Sequence, residues 1–274
     1  MTSPHPRPSL EELFDELGEV GAHLAAMEAA EGAAGNLSLY LGWPVDPRPW
    51  FPVEELVELP QPVPELAGSA FLVTGSGRRL RELGRAPLRN LGCLVVEPGG
   101  ALGRLFTAPG RLFRRLTSEF NTHLAAHHDY VTRTGASFLA LVHAQPLHLT
   151  FLSHVPAYQD AAQLTRRLLR WQPEAIMQFP EGVGVVPFKV PGSAELAAAA
   201  TAELRRHRLV VWAKHGVMAR SDDSLGHACD CVEYLEAAAR YELLNLAHGA
   251  PAPGLSDDEL RAIARAYGIP QTLY

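Results

Sequence analysis

Three residues with metal-binding side chains follow two apolar runs of the sequence. His143 and Gln145 come at the end of the run 138–142, and His215 follows the run 209–212. Because side chains alternate between the two faces of a strand, positions 143 and 145 project to the same side and can converge on one ion. Zinc enzymes commonly use three protein ligands and leave the fourth position to substrate. The spacing alone favours a pair of hydrogen-bonded strand-end histidines, because the amide oxygen of Gln145 is a poor zinc ligand, and it leaves a zinc or other divalent-metal site as the alternative.

Two short polar segments could hold an anion and move a proton. Thr117-Ser118-Glu119 opens a predicted helix, so Ser118 either caps that helix or binds an anion at its N-terminus, with Glu119 as the base. Gly75-Ser76-Gly77 is a turn that exposes backbone N–H groups, as phosphate-binding nests do. It lacks the third glycine of a dinucleotide fingerprint and the Lys-Ser/Thr pair of a P-loop.

Other groups of reactive side chains favour a structural interpretation. His123 and His127 stand one helical turn apart, but no Glu follows His123, so a zincin-type site is not supported and solvated or core histidines are expected. Cys229 and Cys231 are two residues apart in a predicted helix, where their side chains diverge. The arginines between positions 78 and 115 are interrupted by acidic and apolar residues, and we expect most of them to be solvated.

Hydrophobic periodicity and end signals predict interleaved strands and helices. Predicted strands cover 36–41, 70–74, 91–96, 138–143, 182–186 and 209–212. Predicted helices cover 10–31, 117–134, a segment from Pro146, 193–206, 223–248 and a last helix opened by a capping box at Ser256. The segment 44–64 is too rich in proline for a regular element, and 1–9 is expected to be a flexible leader. Since no composition break divides the chain, we expect a single α/β domain over 1–274.

Composition excludes several classes of partner. The chain has 274 residues, 47% of them hydrophobic, and a formal net charge of −6, which argues against a general nucleic-acid or membrane-surface binder. Three cysteines cannot form a full disulfide framework, and this suits a reducing cytoplasm. The N-terminus lacks the apolar core of a signal peptide, and no apolar run reaches membrane-spanning length. We expect a soluble, cytoplasmic protein.

Taken in order, seven motifs resemble the class II aldolase/adducin family. They are Gly35-Asn36-Leu37-Ser38, Val73-Thr74-Gly75-Ser76-Gly77, Asn90-Leu91-Gly92, Thr117-Ser118-Glu119, His143, Phe179-Pro180-Glu181-Gly182-Val183-Gly184 and Lys214-His215-Gly216. The resemblance implies a three-layer α/β/α sandwich with a mixed, largely antiparallel central sheet. It implies a homotetramer with active sites at subunit interfaces, and zinc-dependent cleavage of a phosphorylated sugar, a ketose 1-phosphate, to dihydroxyacetone phosphate and an aldehyde.

The resemblance also implies roles for individual residues. His143 and His215 match two zinc ligands, and Glu119 matches the general acid/base at the carbon next to the carbonyl. Glu174 falls where some members carry a second carboxylate, thought to act on the aldehyde-side hydroxyl. The phosphate- and substrate-holding positions are matched by Asn36, Ser76, Gly77 and Ser118.

Two positions depart from the family pattern. Gln145 replaces the second histidine of the metal motif, and His148 is the nearest residue that could substitute for it. Ala33 and Ala34 stand where an asparagine contacts the phosphate region in some members. These changes leave two alternatives open besides the aldolase, namely a binding or scaffold protein that has lost the chemistry and a sugar-phosphate epimerase on the same scaffold.

Overall fold

A single nine-stranded mixed sheet organises residues 7–271 and 273–274, which are the residues that the computed structural model describes. The strands are β1 (Asn36–Leu41), β2 (Val53–Glu58), β3 (Ala70–Thr74), β4 (Leu91–Val96), β5 (Leu102–Thr107), β6 (Phe138–Ala144), β7 (Gly184–Val186), β8 (Leu209–Trp212) and β9 (Gly216–Ser221). Their order across the sheet is β2-β5-β4-β3-β1-β6-β9-β8-β7. Neighbouring strands are antiparallel except for β7 and β8, which pair in parallel.

Helices cover both faces of the sheet. They are α1 (Leu10–Ala26), α2 (Pro87–Asn90), α3 (Phe120–Thr134), α4 (Leu147–Leu152), α5 (Ala161–Leu169), α6 (Pro173–Gln178), α7 (Ala194–Leu204), α8 (Leu225–His248) and α9 (Asp257–Ala266). Helices α3 and α7 enclose one hydrophobic core, while α1, α4, α5, α6, α8 and α9 enclose the other. This confirms the expected three-layer α/β/α sandwich with a mixed, largely antiparallel sheet.

Strands β1 and β6 form the buried centre of the sheet. Each residue of β1 is buried, with Leu37 and Leu39 facing the α1/α8 core. The alternate positions, Asn36 and Ser38, therefore face α3. In the β1/β6 register Asn36 lies opposite His143, so the sheet itself brings two predicted site residues together.

Several elements differ from the sequence-based predictions. The proline-rich segment 44–64 was expected to be irregular, but it contains β2; this prediction was wrong because the prolines flank the strand and β2 is an edge strand that pairs only with β5. Strands β5 and β9 were not predicted. Helix α3 begins at Phe120 rather than at 117, because the chain at Thr117 still pairs with β3 through Thr74.

Serine caps begin several helices at the predicted places. Ser193 and Ser224 accept the N–H groups of Leu196 and His227, and Ser256 forms the predicted capping box with Glu259. Ser9 forms a second capping box at α1, within the predicted leader, while residues 1–6 of that leader lie outside the described residues. Among the residues that the structure describes, every helix is too short or too polar to span a bilayer.

Candidate active site

One carboxylate and two imidazoles meet at the edge of the α3 layer. Ligand atoms of Glu119, His143 and His215 all lie within 4.8 Å of one another. His143 Nε2 is 3.2 Å from one carboxylate oxygen of Glu119, and His215 Nε2 is 3.6 Å from the other. All three side chains are largely shielded from solvent, Glu119 and His143 almost completely. Three of the predicted site residues are therefore in one small group.

Different parts of the fold position these three groups. His143 is near the end of β6, and Glu119 is the residue before α3. His215 lies in the tight turn between β8 and β9, where Lys214 adopts a left-handed backbone conformation (φ 66°) that is uncommon for a residue with a side chain. The buried hydroxyl of Ser153 accepts the Lys214 N–H at 2.8 Å and holds this turn in place.

Hydrogen bonding fixes which nitrogen of His143 faces Glu119. His143 Nδ1 is 2.8 Å from the carbonyl oxygen of Val217, which can only accept, so Nδ1 carries a proton. In a neutral ring Nε2 then presents a lone pair towards Glu119 Oε2. Two electron-rich atoms at this distance are stabilised by a cation or a proton between them. The ring is held further by Trp212, which stacks on it with 4.6 Å between ring centroids.

The electrostatics of the group favour ionised Glu119 and neutral His215. Burial raises the pKa of Glu119, but His143 and the hydrogen bond from Asn36 lower it by more, so the carboxyl ionises below its usual range. Burial and then His143 lower the pKa of His215 to about 4, against the opposing influence of Glu119. Glu119 Oε1 has no hydrogen-bond partner among the described residues. One carboxylate and two imidazole lone pairs are a donor set that suits a divalent metal.

Gln145 and His148 follow β6 and contact different parts of the fold. The side chain of Gln145 is partly buried beside Gly216, where a Cβ on that glycine would come within 3.1 Å of Gln145 Cγ. Gln145 therefore lies next to Gly216, the residue that follows His215 in the chain. His148 instead directs Nδ1 to Glu236 Oε1 at 2.7 Å, on helix α8. The Gln145 side chain therefore lies beside the residue that follows His215, whereas His148 is bonded to α8.

The turn of Ser76 and Gly77 lies beside the start of α3. Gly75 pairs with Leu116, and Ser76 N–H donates to the carbonyl of Arg115 at 2.9 Å. The approach is so close that a Cβ on Gly75 would lie 2.2 Å from Phe113, which only glycine can tolerate. The structure therefore places the two segments that carry the predicted phosphate-holding residues Ser76, Gly77 and Ser118 next to each other.

An open cleft of about 630 Å³ adjoins this turn. It is lined by Ser76 together with Arg111, Leu112, Phe113, Arg114 and Arg115. Arg114 and Arg115 are exposed, as the sequence led us to expect, but they are exposed towards the Ser76 turn. Neither arginine was predicted to be a site residue; the signal that could have found them is a run of three arginines within five residues of a protein with net charge −6.

Both ends of the Asn36 side-chain amide form hydrogen bonds within the protein. Its Nδ2 donates to Glu119 Oε2 at 2.9 Å, and its Oδ1 accepts from His123 Nε2. His123 and His127 are core histidines, which is one of the two predicted outcomes. Sequence reasoning missed the contacts of these histidines with Ser38 and Asn36. The signal that could have suggested them is that Asn36 and Ser38 are polar and share one face of a strand that is otherwise apolar.

Glu174 is apart from the other predicted site residues. It is exposed on α6, a helix that packs against α5, α8 and α9 on the opposite layer from α3. Within the described part of the chain it makes no hydrogen bond or ion pair with Glu119, His143 or His215.

Comparison with known proteins defines the class to which this fold and site belong. Residues 15–243 match the family described as class II aldolase and adducin N-terminal domain, and the chain belongs to that family. A rhamnulose-1-phosphate aldolase from Bacteroides thetaiotaomicron is 28% identical over 97% of each chain, and one from Yersinia pestis is 32% identical over 87% of each.

Solved structures agree with the family assignment. A sugar-phosphate aldolase from Thermotoga maritima superposes with a TM-score of 0.72 at 29% identity, covering 89% of this chain and 99% of its own. An L-fuculose 1-phosphate aldolase superposes with a TM-score of 0.60 at 21% identity and shows the same fold.

Proposed function

We propose that this protein is a metal-dependent aldehyde-lyase that cleaves a ketose 1-phosphate, such as rhamnulose 1-phosphate, to dihydroxyacetone phosphate and an aldehyde. The observation that carries the proposal is the group of Glu119, His143 and His215 beside the Ser76 turn, on a chain of the class II aldolase family. The names of the relatives support the substrate class.

We assign His143 and His215 as ligands of zinc or another divalent cation, with Gln145 as a weaker third donor. A cation there would act as a Lewis acid that polarises the carbonyl and neighbouring hydroxyl oxygens of the ketose. Because Nδ1 of His143 bonds the Val217 carbonyl, the lone pair on Nε2 is available to bind a metal. The burial that lowers the pKa of His215 keeps that ring neutral. Gln145 makes the site weaker than a three-histidine site of the same shape.

The phosphate of the substrate is assigned to the Ser76 turn. Gly77 N–H and the hydroxyls of Ser76 and Ser118 are the polar groups that the two adjacent segments offer there. Arg114 and Arg115 add positive charge on the cleft that Ser76 lines. Asn36 contributes by holding Glu119, because both ends of its amide already bond within the protein.

Glu119 is the proton-transfer group. In cleavage the C4 hydroxyl loses its proton, the C3–C4 bond breaks with its electron pair moving towards C2, and C3 gains a proton. Because Asn36 occupies Oε2, the ionised carboxylate takes up one proton on Oε1, the oxygen with no partner among the described residues, which balances the proton that the C4 hydroxyl releases, and then hands it to C3. In synthesis the same oxygen removes a proton from the hydroxymethyl carbon of dihydroxyacetone phosphate.

A complete site as we propose it needs neighbouring subunits. Glu174 on the exposed surface of α6 would act on the aldehyde-side hydroxyl of a substrate held by another chain of a homotetramer. We take the chain, 1–274, as one class II aldolase-like domain within that assembly.

Deuterium exchange into dihydroxyacetone phosphate tests the proposal without requiring the aldehyde to be known. Wild-type protein loaded with zinc or manganese should exchange one proton of the hydroxymethyl carbon with D₂O, and Glu119→Gln should slow this exchange by about 100-fold or more. His215→Ala should lose the bound metal, measured by elemental mass spectrometry after dialysis, whereas the Glu119→Gln protein should stay folded by circular dichroism.

Turnover of candidate substrates then separates the alternatives. Release of dihydroxyacetone phosphate from rhamnulose 1-phosphate supports the aldolase, whereas conversion to another phosphorylated sugar without release supports the epimerase. A wild-type protein that neither retains added metal nor exchanges deuterium is a binding or scaffold protein, and the proposal fails.

A further inference from the structure

A chain of buried polar side chains leads from Glu119 into the α3 core. Ser38 Oγ is 2.6 Å from His123 Nδ1 and 2.7 Å from His127 Nε2, and His123 Nε2 bonds Asn36 Oδ1. Ser38, His123 and His127 are 0% exposed. His127 packs in apolar surroundings, with Phe71 at 5.3 Å between ring centroids. None of these three residues is among the proposed metal ligands.

Each hydrogen bond of this chain has one possible direction. Asn36 directs its Nδ2, which can only donate, to Glu119 Oε2 at 2.9 Å, and this leaves its Oδ1, which can only accept, facing His123 Nε2. His123 Nε2 must therefore donate. Burial lowers the pKa of His123 to about 3 and holds that of His127 well below the usual value, so both rings are neutral and His123 Nδ1 must accept the Ser38 proton.

The direction of the hydrogen bond between Ser38 and His127 follows from the single hydroxyl proton of Ser38. Because that proton is given to His123, Ser38 Oγ accepts from His127 Nε2, and His127 Nδ1 is left with a lone pair. His127 Nδ1 is indeed a buried atom without a hydrogen-bond partner among the described residues.

We infer that Ser38, His123 and His127 are positioning residues of the active site: their hydrogen bonds, all donated towards Glu119, hold the Asn36 amide with its N–H on Glu119 Oε2. This inference rests on the proposed function for its catalytic meaning. The chain fixes which carboxylate oxygen is occupied and leaves Oε1 to carry the proton. None of the three side chains touches substrate, so the chain acts on kcat through Asn36 and Glu119.

Histidine tautomers test the chain directly and independently of activity. In long-range ¹H–¹⁵N spectra of protein with ¹⁵N-labelled histidine, near neutral pH, both His123 and His127 should be neutral and protonated on Nε2. Spectra of His127→Gln identify the His127 signals, and spectra of Ser38→Ala identify His123 through its shifted Nδ1. A proton on Nδ1 of either ring, or a charged ring, overturns the inference.

Kinetics of matched variants test the positioning role. Ser38→Ala and His127→Leu should each lower kcat about tenfold with little change in KM, whereas His127→Gln should retain most of kcat because its amide N–H reaches the position of Nε2. The double variant Ser38→Ala/His127→Leu should be no slower than either single variant. Unchanged kcat in Ser38→Ala overturns the inference, even if His127→Leu fails to fold. If the wild-type protein has no aldolase activity, the proposed function fails. The ring tautomers alone then decide whether the series of hydrogen bonds from His127 to Asn36 exists as described.

Discussion

His123 and His127 are two buried imidazoles that the folded protein keeps uncharged, so the free energy of unfolding should fall as the pH falls. Their pKa values are lowered in the folded state, chiefly by burial, to about 3 for His123 and well below the usual value for His127. In the unfolded chain each would titrate near its ordinary value of about 6.5. The stabilising contribution is therefore present above pH ~6.5 and is lost as the pH falls towards the folded-state pKa values.

The magnitude follows from the protons that unfolding takes up. At pH ~5 an unfolded histidine is almost fully protonated while its buried counterpart is not, and this difference costs about 2 kcal/mol per ring relative to pH ~7. The two rings together should lower the free energy of unfolding by about 4 kcal/mol over this range, a large part of the ~5–15 kcal/mol typical of a domain.

Urea denaturation followed by circular dichroism at both pH values measures this loss. A chelator should be present so that release of metal in acid does not contribute. His127→Gln removes one buried titrating ring and should lose about 2 kcal/mol less than the wild type between the two pH values. The exposed His248 provides the control, since His248→Gln should show the wild-type loss. An identical loss in His127→Gln and the wild type would refute the reasoning.

Three further substitutions have outcomes set by particular contacts. Gln145→His should raise zinc affinity on the order of tenfold or more, measured by competition with a chromophoric chelator, because imidazole replaces an amide oxygen; an unchanged affinity would remove Gln145 from the site. Gly75→Ala should lower the free energy of unfolding by about 2 kcal/mol in urea titrations, since its Cβ would lie 2.2 Å from Phe113, whereas wild-type stability would mean that this loop is loosely packed. Glu242→Ala should cost about 2 kcal/mol by the same assay, because the fully buried carboxylate accepts hydrogen bonds from a tyrosine, an arginine and a tryptophan, and a loss below ~0.5 kcal/mol would contradict this.

Local signals predicted most of the regular elements near the site. The apolar runs at β1, β3, β4, β6 and β8 were recognised because a buried strand needs an uninterrupted or alternating apolar pattern. Serine caps located the starts of α7 and α9, because the orphan N–H groups of a helix need an acceptor.

The missed strands show where such signals fail. β2 lies among prolines, three of its six residues are glutamates and none of the six is buried, so its sequence lacks the apolar pattern of a buried strand. β9 follows β8 after a turn that depends on the left-handed conformation of Lys214, which no residue type specifies.

The residue types of the site could be read from the sequence, but their partners could not. The sequence singled out Glu119, His143, Gln145 and His215 by type, spacing and family resemblance. It did not indicate that Glu119 lies among the donor atoms of the two histidines, or that Asn36 bonds Glu119. Each of these contacts joins residues that are far apart in the chain, and only the order of strands in the sheet brings them within a few ångströms.

The sequence by itself determined most of the elements near the site, the family and the inventory of reactive groups, because periodicity, caps and motifs are properties of neighbouring residues. The tertiary structure decided the state and direction of those groups. Burial in the α3 core makes His123 and His127 neutral, and a single available proton on Ser38 sets the direction of their hydrogen bonds. Protonation depends on desolvation and on distant partners, and these exist only once the sheet and its helices have packed.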